Sequence, residues 1–295
     1  TWTEGMIKKG IILAGGTGSR LSPLTKSVNK QLLPVYDKPL IFYPLSLLMM
    51  NNIKNILIIV NKGQIDKFRK ILPEKNNLGI KIKYSEQKKP KGLPDAFIIG
   101  KNFFKNENVV LILGDNFFHS SKSRDIIFNN LKFKNGAKIF ISKVKNPKQF
   151  GIVKVNKKSK VLDIQEKPNK PKTNLAITGL YIFDKYVSKF SKNLKPSKRK
   201  ELEITDLLKI YQKKNMLNAQ ILKKGIKWLD AGSINDLIST TNYVKNIEKN
   251  KRKKIACLEE ISLKKKWIGI KEIKRSIKFY GDCHYSKFLK RLIKR

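Results

Sequence analysis

An apolar stretch passes directly into a glycine-rich turn closed by an arginine in Gly10-Ile11-Ile12-Leu13-Ala14-Gly15-Gly16-Thr17-Gly18-Ser19-Arg20. Glycines at Gly15, Gly16 and Gly18 open backbone conformations closed to other residues and let main-chain amides approach a ligand. Successive amides in such a turn make a seat for phosphate oxygens, and Arg20 adds a planar cation. Ten residues on, Lys30-Gln31-Leu32-Leu33-Pro34 supplies a second cation. A nucleoside triphosphate matches these charges. The spacing is not that of a P-loop and only loosely mimics the dinucleotide fingerprint, so a ligand-free strand-to-helix turn stays open on this loop alone.

Such a loop needs a sheet to hold it. Residues 10–13 are short, apolar and β-branched, the pattern of a buried strand. Further strands are predicted at 55–60, 80–84, Val109–Leu113 and 138–142, with a helical stretch at 40–51 between two of them. This alternation predicts an α/β fold with a Rossmann-like, mixed and mostly parallel sheet flanked by helices. Ligands in such sheets bind beyond the carboxyl ends of the strands, where the Gly15 to Arg20 turn and the loop 114–116 both fall. From Gly151 the pattern changes to a hairpin (Gly151–Val155 and 161–165), a strand at 176–183 and a helix at 202–213. A long helix is expected at 234–249, then a lysine-rich connector and more helix to Arg295.

The 295 residues, 40% hydrophobic with 15 Phe, can bury a substantial core as one large or two small domains. No apolar run approaches the roughly 20 residues that span a bilayer. Cys257 and Cys283 show neither a ligand pattern nor a disulfide framework, so a reducing cytoplasm is expected. His119 and His284 lack neighbours at metal spacing and are expected to be packed or on the surface. The net charge of +43 raises nucleic acid as a partner. Only eight of the 65 basic residues are arginine, however, and the lysines are spread along the chain. Specific base readers lean on arginine. The expectation is a solvated basic face with non-specific, salt-sensitive adhesion to nucleic acid.

Five more segments follow the glycine turn and the Lys30 segment in fixed order. They are Leu113-Gly114-Asp115-Asn116, Gln165-Glu166-Lys167-Pro168, Thr178-Gly179-Leu180-Tyr181, Leu202-Glu203-Ile204-Thr205-Asp206 and Trp228-Leu229-Asp230-Ala231-Gly232. Together the seven resemble the sugar-phosphate nucleotidyltransferases, the thymidylyl-transferring branch above all, from about Met6 to the C-terminus. The resemblance implies a nucleotidyltransferase domain over 6–235 with a sugar-binding insertion lobe over about 151–230. It further implies a C-terminal helical arm over 236–295 that packs between subunits of a homo-oligomer, a dimer of dimers, and carries a regulatory nucleotide site. Residues 1–5 are expected to be an extension outside the fold.

The implied reaction is attack by the phosphate oxygen of glucose 1-phosphate on the α-phosphorus of dTTP, expelling pyrophosphate and leaving dTDP-glucose for deoxysugar and surface-polysaccharide synthesis. That nucleophile is already ionised at neutral pH, so the demand is positioning and charge stabilisation. By resemblance, Leu13, Gly15, Gly16, Thr17, Gly18, Ser19, Arg20, Lys30, Gln31, Gln87, Gly92 and Asp115 bind the nucleotide. Asn116, Gly151, Glu166, Lys167, Ile177 and Tyr181 bind the sugar phosphate, and Arg20, Lys30 and Lys167 are the catalytic cations. Asp115 and Asp230 match the family's metal-binding aspartates, and Mg²⁺ suits one or two carboxylates plus phosphate oxygens and water. A turn cap at Asp115 and a helix N-cap at Asp230 are the plainer alternatives.

Three departures stand out. Many members carry Gly-Leu-Ala-Gln-Ala where this chain has Gly92-Leu93-Pro94-Asp95-Ala96, beside the base pocket. Phe150 stands where a Tyr is common, and Ala231 replaces a usual Thr. UTP or another hexose 1-phosphate as substrate, and a nucleic-acid binder on an inactive fold, are the competing readings.

Overall fold

The computed structural model describes residues 7–120, 133–251 and 253–294. The expected extension 1–5 lies outside them. The first half runs β1 (Lys9–Ala14), β2 (Pro34–Val35), β3 (Lys38–Pro39), α1 (Phe42–Met50), β4 (Asn55–Asn61), α2 (Ile65–Arg69), β5 (Lys81–Gln87), α3 (Asp95–Ile99), α4 (Lys101–Phe104), β6 (Val109–Leu113), β7 (Asn116–Ser120) and β8 (Ala137–Lys143). It continues through β9 (Gly151–Val155), β10 (Val161–Glu166), β11 (Leu175–Phe183), α5 (Val187–Lys192), α6 (Ile204–Lys213), β12 (Leu217–Ile221) and β13 (Ile226–Asp230). Helices α7 (Ile234–Lys251), α8 (Leu258–Lys264), α9 (Ile270–Tyr280) and α10 (His284–Leu292) complete the chain.

Among the described residues, nine strands form the central sheet along the path β10-β9-β11-β6-β1-β4-β5, with β8 on β11 and β12 on β8. β6, β1, β4 and β5 are mutually parallel, and β11 turns the sheet antiparallel beside β6. Successive side chains of a strand point to opposite faces. Ile11 and Leu111 therefore enter one core with Phe97, Phe183 and Tyr211, while Ile12 and Ile112 enter the other with Leu45, Leu48 and Phe68. Strands buried on both faces must be apolar throughout, which is why β1, β4 and β6 read as continuous apolar runs. Helix α1 is buried on eight of its nine residues, so it is apolar all round rather than amphipathic.

The hairpin β9–β10 lies at one edge of this same sheet, joined to it by β11. Strands β13 and β7 form a separate two-stranded ribbon. The C-terminal helices pack on their own chain: Ser262 Oγ donates to Leu78 O, and Gly79, at φ +67°, lies against the Trp267 backbone. Lys38 and Lys254 join Asp37 and Glu248 in a buried charge network that ties the β2–β3 turn to the end of α7. No described helix is long and apolar enough to cross a membrane.

Candidate active site

The register of the parallel strands places their carboxyl ends level. Leu13 pairs with Leu113, Ala14 with Val60 and Asn61 with Gln87. The turn after β1, Asn61, Gln87 and Asp115 thereby line one row. Gly114 is glycine because β1 passes close by: a Cβ there would sit 3.0 Å from Leu13 O and 2.8 Å from Gln31 Cγ. The turn itself is held from outside. Asn61 accepts from Gly16 N (2.9 Å) and donates to Gly16 O (2.7 Å), while Thr25 Oγ1 donates to Gly18 O (2.8 Å). The Gly16 amide thus shapes the loop, so one amide of the expected phosphate seat is already engaged. A cavity of about 120 Å³ opens beside it, lined by Thr17, Lys26, Asn29, Lys30 and Lys67 among others. Lys26, unassigned on sequence grounds, belongs to this cationic wall.

Lys30 Nζ lies 2.5 Å from Asp115 Oδ2, with the lysine side chain only 10% exposed. Burial would raise the Asp115 carboxyl, but the Lys30 charge and the hydrogen bonds from Lys30 and Asn116 outweigh it and hold the group below its ordinary range. Asp230 arrives from the β13–β7 ribbon, where it pairs with Asn116, and Ala231 N donates to Asp115 O. Burial first, then the charge of Asp115, pushes the Asp230 carboxyl up to about 7, against the lowering pull of Lys30 and Arg20. Arg20 reaches the same point: a Cβ on Gly232 would lie 2.9 Å from its Nη2 and 3.1 Å from Asp230 Oδ2.

Asn116 was expected on a loop. It is instead the first residue of β7, and its polar atoms are engaged within the protein. Its Nδ2 donates to Asp115 Oδ1, and its Oδ1 accepts from Gly179 N and from Trp228 Nε1 (2.6 Å). It orients Asp115 and pins Trp228, which stands edge-on to Phe150 as a wall. Residues expected on the sugar side also come together. A Cβ on Gly151 would touch Thr205 Cγ2 (3.1 Å), Glu166 Oε2 (3.4 Å) and Ile177 Cδ1 (3.5 Å). Thr205 Oγ1 donates to Glu166 Oε2, and Arg199 Nη2 donates to both Glu166 and Glu203. Burial leaves the Glu166 carboxyl above its ordinary value despite the Thr205 hydrogen bond. Lys167 follows at φ +39°, an unusual conformation for a side-chain-bearing residue and one that clusters at functional sites. Tyr181 is buried among these charges, and desolvation, with Glu166, Asp230 and Asp115, raises its hydroxyl pKa.

Of the residues expected at the base, Gln87 ends β5 and Gly92 adopts φ +98°. A Cβ at Gly92 would lie 2.1 Å from Leu202 O, so glycine is required by the bridge that joins Gly92 to Leu202. That bridge also explains why α6 starts at Ile204, two residues later than predicted. Pro94 precedes α3, and Asp95 in its first turn accepts a hydrogen bond from Gln87 Nε2. His119 bonds through Nδ1 to Tyr243 OH. Sequence reasoning missed Asn61, Arg199 and Thr205. Asn61 lies one residue beyond the strand predicted at 55–60, and Thr205 stands in a quoted motif, but their partners are 45 and 39 residues away and no local pattern announces them.

Fold and site together define a nucleotidyltransferase, and the Nucleotidyl transferase family model matches residues 9–247. The glucose-1-phosphate thymidylyltransferase of Neisseria meningitidis serogroup A is 42% identical over 97% of this chain and 100% of its own length. That of Mycobacterium tuberculosis (strain H37Rv) is 36% identical over 97% and 99%. A Bacillus anthracis crystal structure bearing the glucose-1-phosphate thymidylyltransferase name, with bound sucrose, superposes with TM-score 0.73 at 38% identity, covering 81% of this chain and 96% of that one. A UDP-glucose pyrophosphorylase complexed with UDP-glucose follows at TM-score 0.70 and 26% identity, covering 82% and 99%. The chain belongs to the glucose-1-phosphate thymidylyltransferase family.

Proposed function

We propose that this chain transfers a thymidylyl group from dTTP to glucose 1-phosphate, forming dTDP-glucose and pyrophosphate. The observation that carries this reading is the convergence of Arg20, Lys30, Asp115 and Asp230 beyond the carboxyl ends of β1 and β6. In the reaction a phosphate oxygen of the sugar phosphate bonds to the α-phosphorus of dTTP, and the bond from that phosphorus to the bridging oxygen breaks. Two anions must meet, so cations and fixed dipoles provide the catalysis. Lys30 and Arg20 would meet the triphosphate, and Lys167 would meet the sugar phosphate. Glu166, held by Thr205 and Arg199, would accept sugar hydroxyl protons in hydrogen bonds. Leu13, Gln87 and Gly92 would border the base, and Gly151, Ile177 and Tyr181 the sugar.

Asp115 and Asp230 would hold Mg²⁺, which supplies charge neutralisation for the phosphates. The residues fit such an ion. Asp230, raised to about 7 by burial first and by Asp115 next, sets a second carboxyl beside Asp115, and a pair of carboxylates is a donor set that Mg²⁺ takes. Among the described residues no cluster of three or more His, Cys, Asp or Glu exists, and Mg²⁺ needs none, because phosphate oxygens and water complete its shell.

The same reading divides the chain into a catalytic domain over 6–235 and an arm over 236–295, with a cytoplasmic, homo-oligomeric enzyme. Ile234 and Ile238 on α7 are exposed and available to a second copy. The function is tested by pyrophosphate release with a panel of nucleoside triphosphates and hexose 1-phosphates. dTTP with glucose 1-phosphate should lead, and no release with any pair would overturn the reading.

A further inference from the structure

Gln87 and Asp95 form a buried pair at the end of β5, with 5% and 8% of their surfaces exposed. Gln87 Nε2 donates to Asp95 Oδ2 at 2.9 Å, and among the described residues this is the one hydrogen bond the Gln87 side chain makes. A carboxylate offers only acceptors, so Asp95 compels the amide to turn its nitrogen inward. The other end, Oε1, then faces the nucleotide turn: a Cβ on Gly15 would lie 3.0 Å from it. A flipped amide would set Oε1 against Asp95, two acceptors in a buried place, which is costly.

We infer that Asp95 is a positioning residue that locks the Gln87 amide so that it presents an acceptor, selecting a pyrimidine whose N3 carries a proton over one whose N3 does not. The inference rests on the reading that Gln87 meets the base. Thymine and uracil bring an N3–H to that oxygen. Cytosine brings a lone pair and needs the opposite amide orientation. The Gly-Leu-Pro-Asp-Ala sequence, a departure from Gly-Leu-Ala-Gln-Ala, is thus a specificity device of this chain.

The test compares dUTP with dCTP, which share sugar and phosphates and both lack the methyl, in the full-length protein. Binding is measured by calorimetry with Mg²⁺ and turnover with glucose 1-phosphate, for wild type, Asp95→Asn and Asp95→Ala, with melting curves alongside. Asn and Ala both free Gln87 to flip. The dUTP-to-dCTP ratio of kcat/KM, and the same ratio in binding, should fall by a factor on the order of 10 in each variant, the scale of one well-paired polar contact. A purely structural Asp95 would lower stability and weaken both nucleotides equally, leaving the ratio unchanged, and that result overturns the lock. Should Asp95→Asn not fold, the Asp95→Ala ratio decides. A wild-type protein that turns over but is indifferent to the two bases overturns the lock and the base-reading role of Gln87 together. Absence of turnover with any pyrimidine nucleotide removes the proposed function, while calorimetry still scores the lock.

Discussion

Asp115 is neutralised by Lys30 at 2.5 Å, whereas Asp230, on the β13–β7 ribbon, has no ion-pair partner within the described residues. Two carboxyls in one pocket therefore behave oppositely. Asp115 is held ionised and Asp230 is driven toward protonation.

Replacing Asp115 with Asn should remove most turnover while the fold persists. The substitution deprives Lys30 of its partner and the metal of a charged ligand, and loss of such a charge clamp typically costs several kcal/mol in the transition state. Steady-state pyrophosphate release at saturating Mg²⁺, with circular dichroism as the fold control, measures it. Activity within about threefold of wild type, less than 1 kcal/mol by the usual conversion, would remove Asp115 from the metal site.

Asp230→Asn should separate activity from stability. The carboxyl rises from 3.8 unfolded to about 7 folded, so its favourable contribution is full below about pH 3.8 and is lost as pH rises through 7. Without Mg²⁺ the Asn variant should therefore melt higher than wild type at pH 8 and by a smaller margin at pH 5. Relief of about 1 kcal/mol shifts the midpoint of a chain this size by roughly 2 °C. Turnover should be lost at both pH values. Equal melting at pH 8 would show that Asp230 is not strained by its surroundings.

Gly92→Ala should disturb the base side through the backbone. The residue sits at φ +98° with Leu202 O only 2.1 Å from where a Cβ would fall. Such strain is of the order of 1–3 kcal/mol, and either the loop or the 202–205 segment must yield. Urea unfolding should show the destabilisation, and the KM values for both nucleotide and sugar phosphate should rise, since Leu202 leads to Thr205 and Thr205 holds Glu166. An unchanged sugar-phosphate KM would uncouple the two sides of the site.

Much of this was legible because it is local. The apolar runs of β1, β4 and β6 are buried on both faces, so no alternation hides them, and the parallel register follows. Asp115 and the Gly15 to Arg20 turn are found at strand ends for the same reason. Strands β7, β12 and β13 were not predicted. In β7, Phe117, Phe118 and His119 show no two-residue alternation, and β13 is lysine- and tryptophan-bearing and half exposed. Both exist because they pair with each other 110 residues apart in sequence, as Asn116 with Trp228 and Asp230 shows. That long-range pairing also places Asn116 on a strand, where it donates to Asp115.

The charge of +43 yields a last outcome, separating enzyme from nucleic-acid binder. Few of the lysines belong to the site. Lys30 has its partner in Asp115, and Lys38 and Lys254 are buried in their own network. Many others, such as Lys62, Lys157, Lys158 and Lys198, are exposed at separate points of the sequence, and Lys271, Lys274, Arg275 and Lys278 line one basic hollow on α9. Duplex DNA should then bind weakly and without sequence preference. Each lysine–phosphate contact releases counterions, so affinity should fall by a factor of about 10³ or more between 50 and 200 mM salt if roughly six contacts form. The transfer rate should change far less over the same range, because its cations act on bound phosphates in a partly buried pocket where salt screens poorly. DNA binding and dTDP-glucose formation titrated side by side against salt make the comparison. Salt-resistant, sequence-selective DNA binding without sugar-nucleotide formation would make nucleic acid, not the sugar phosphate, the partner for which the basic surface exists.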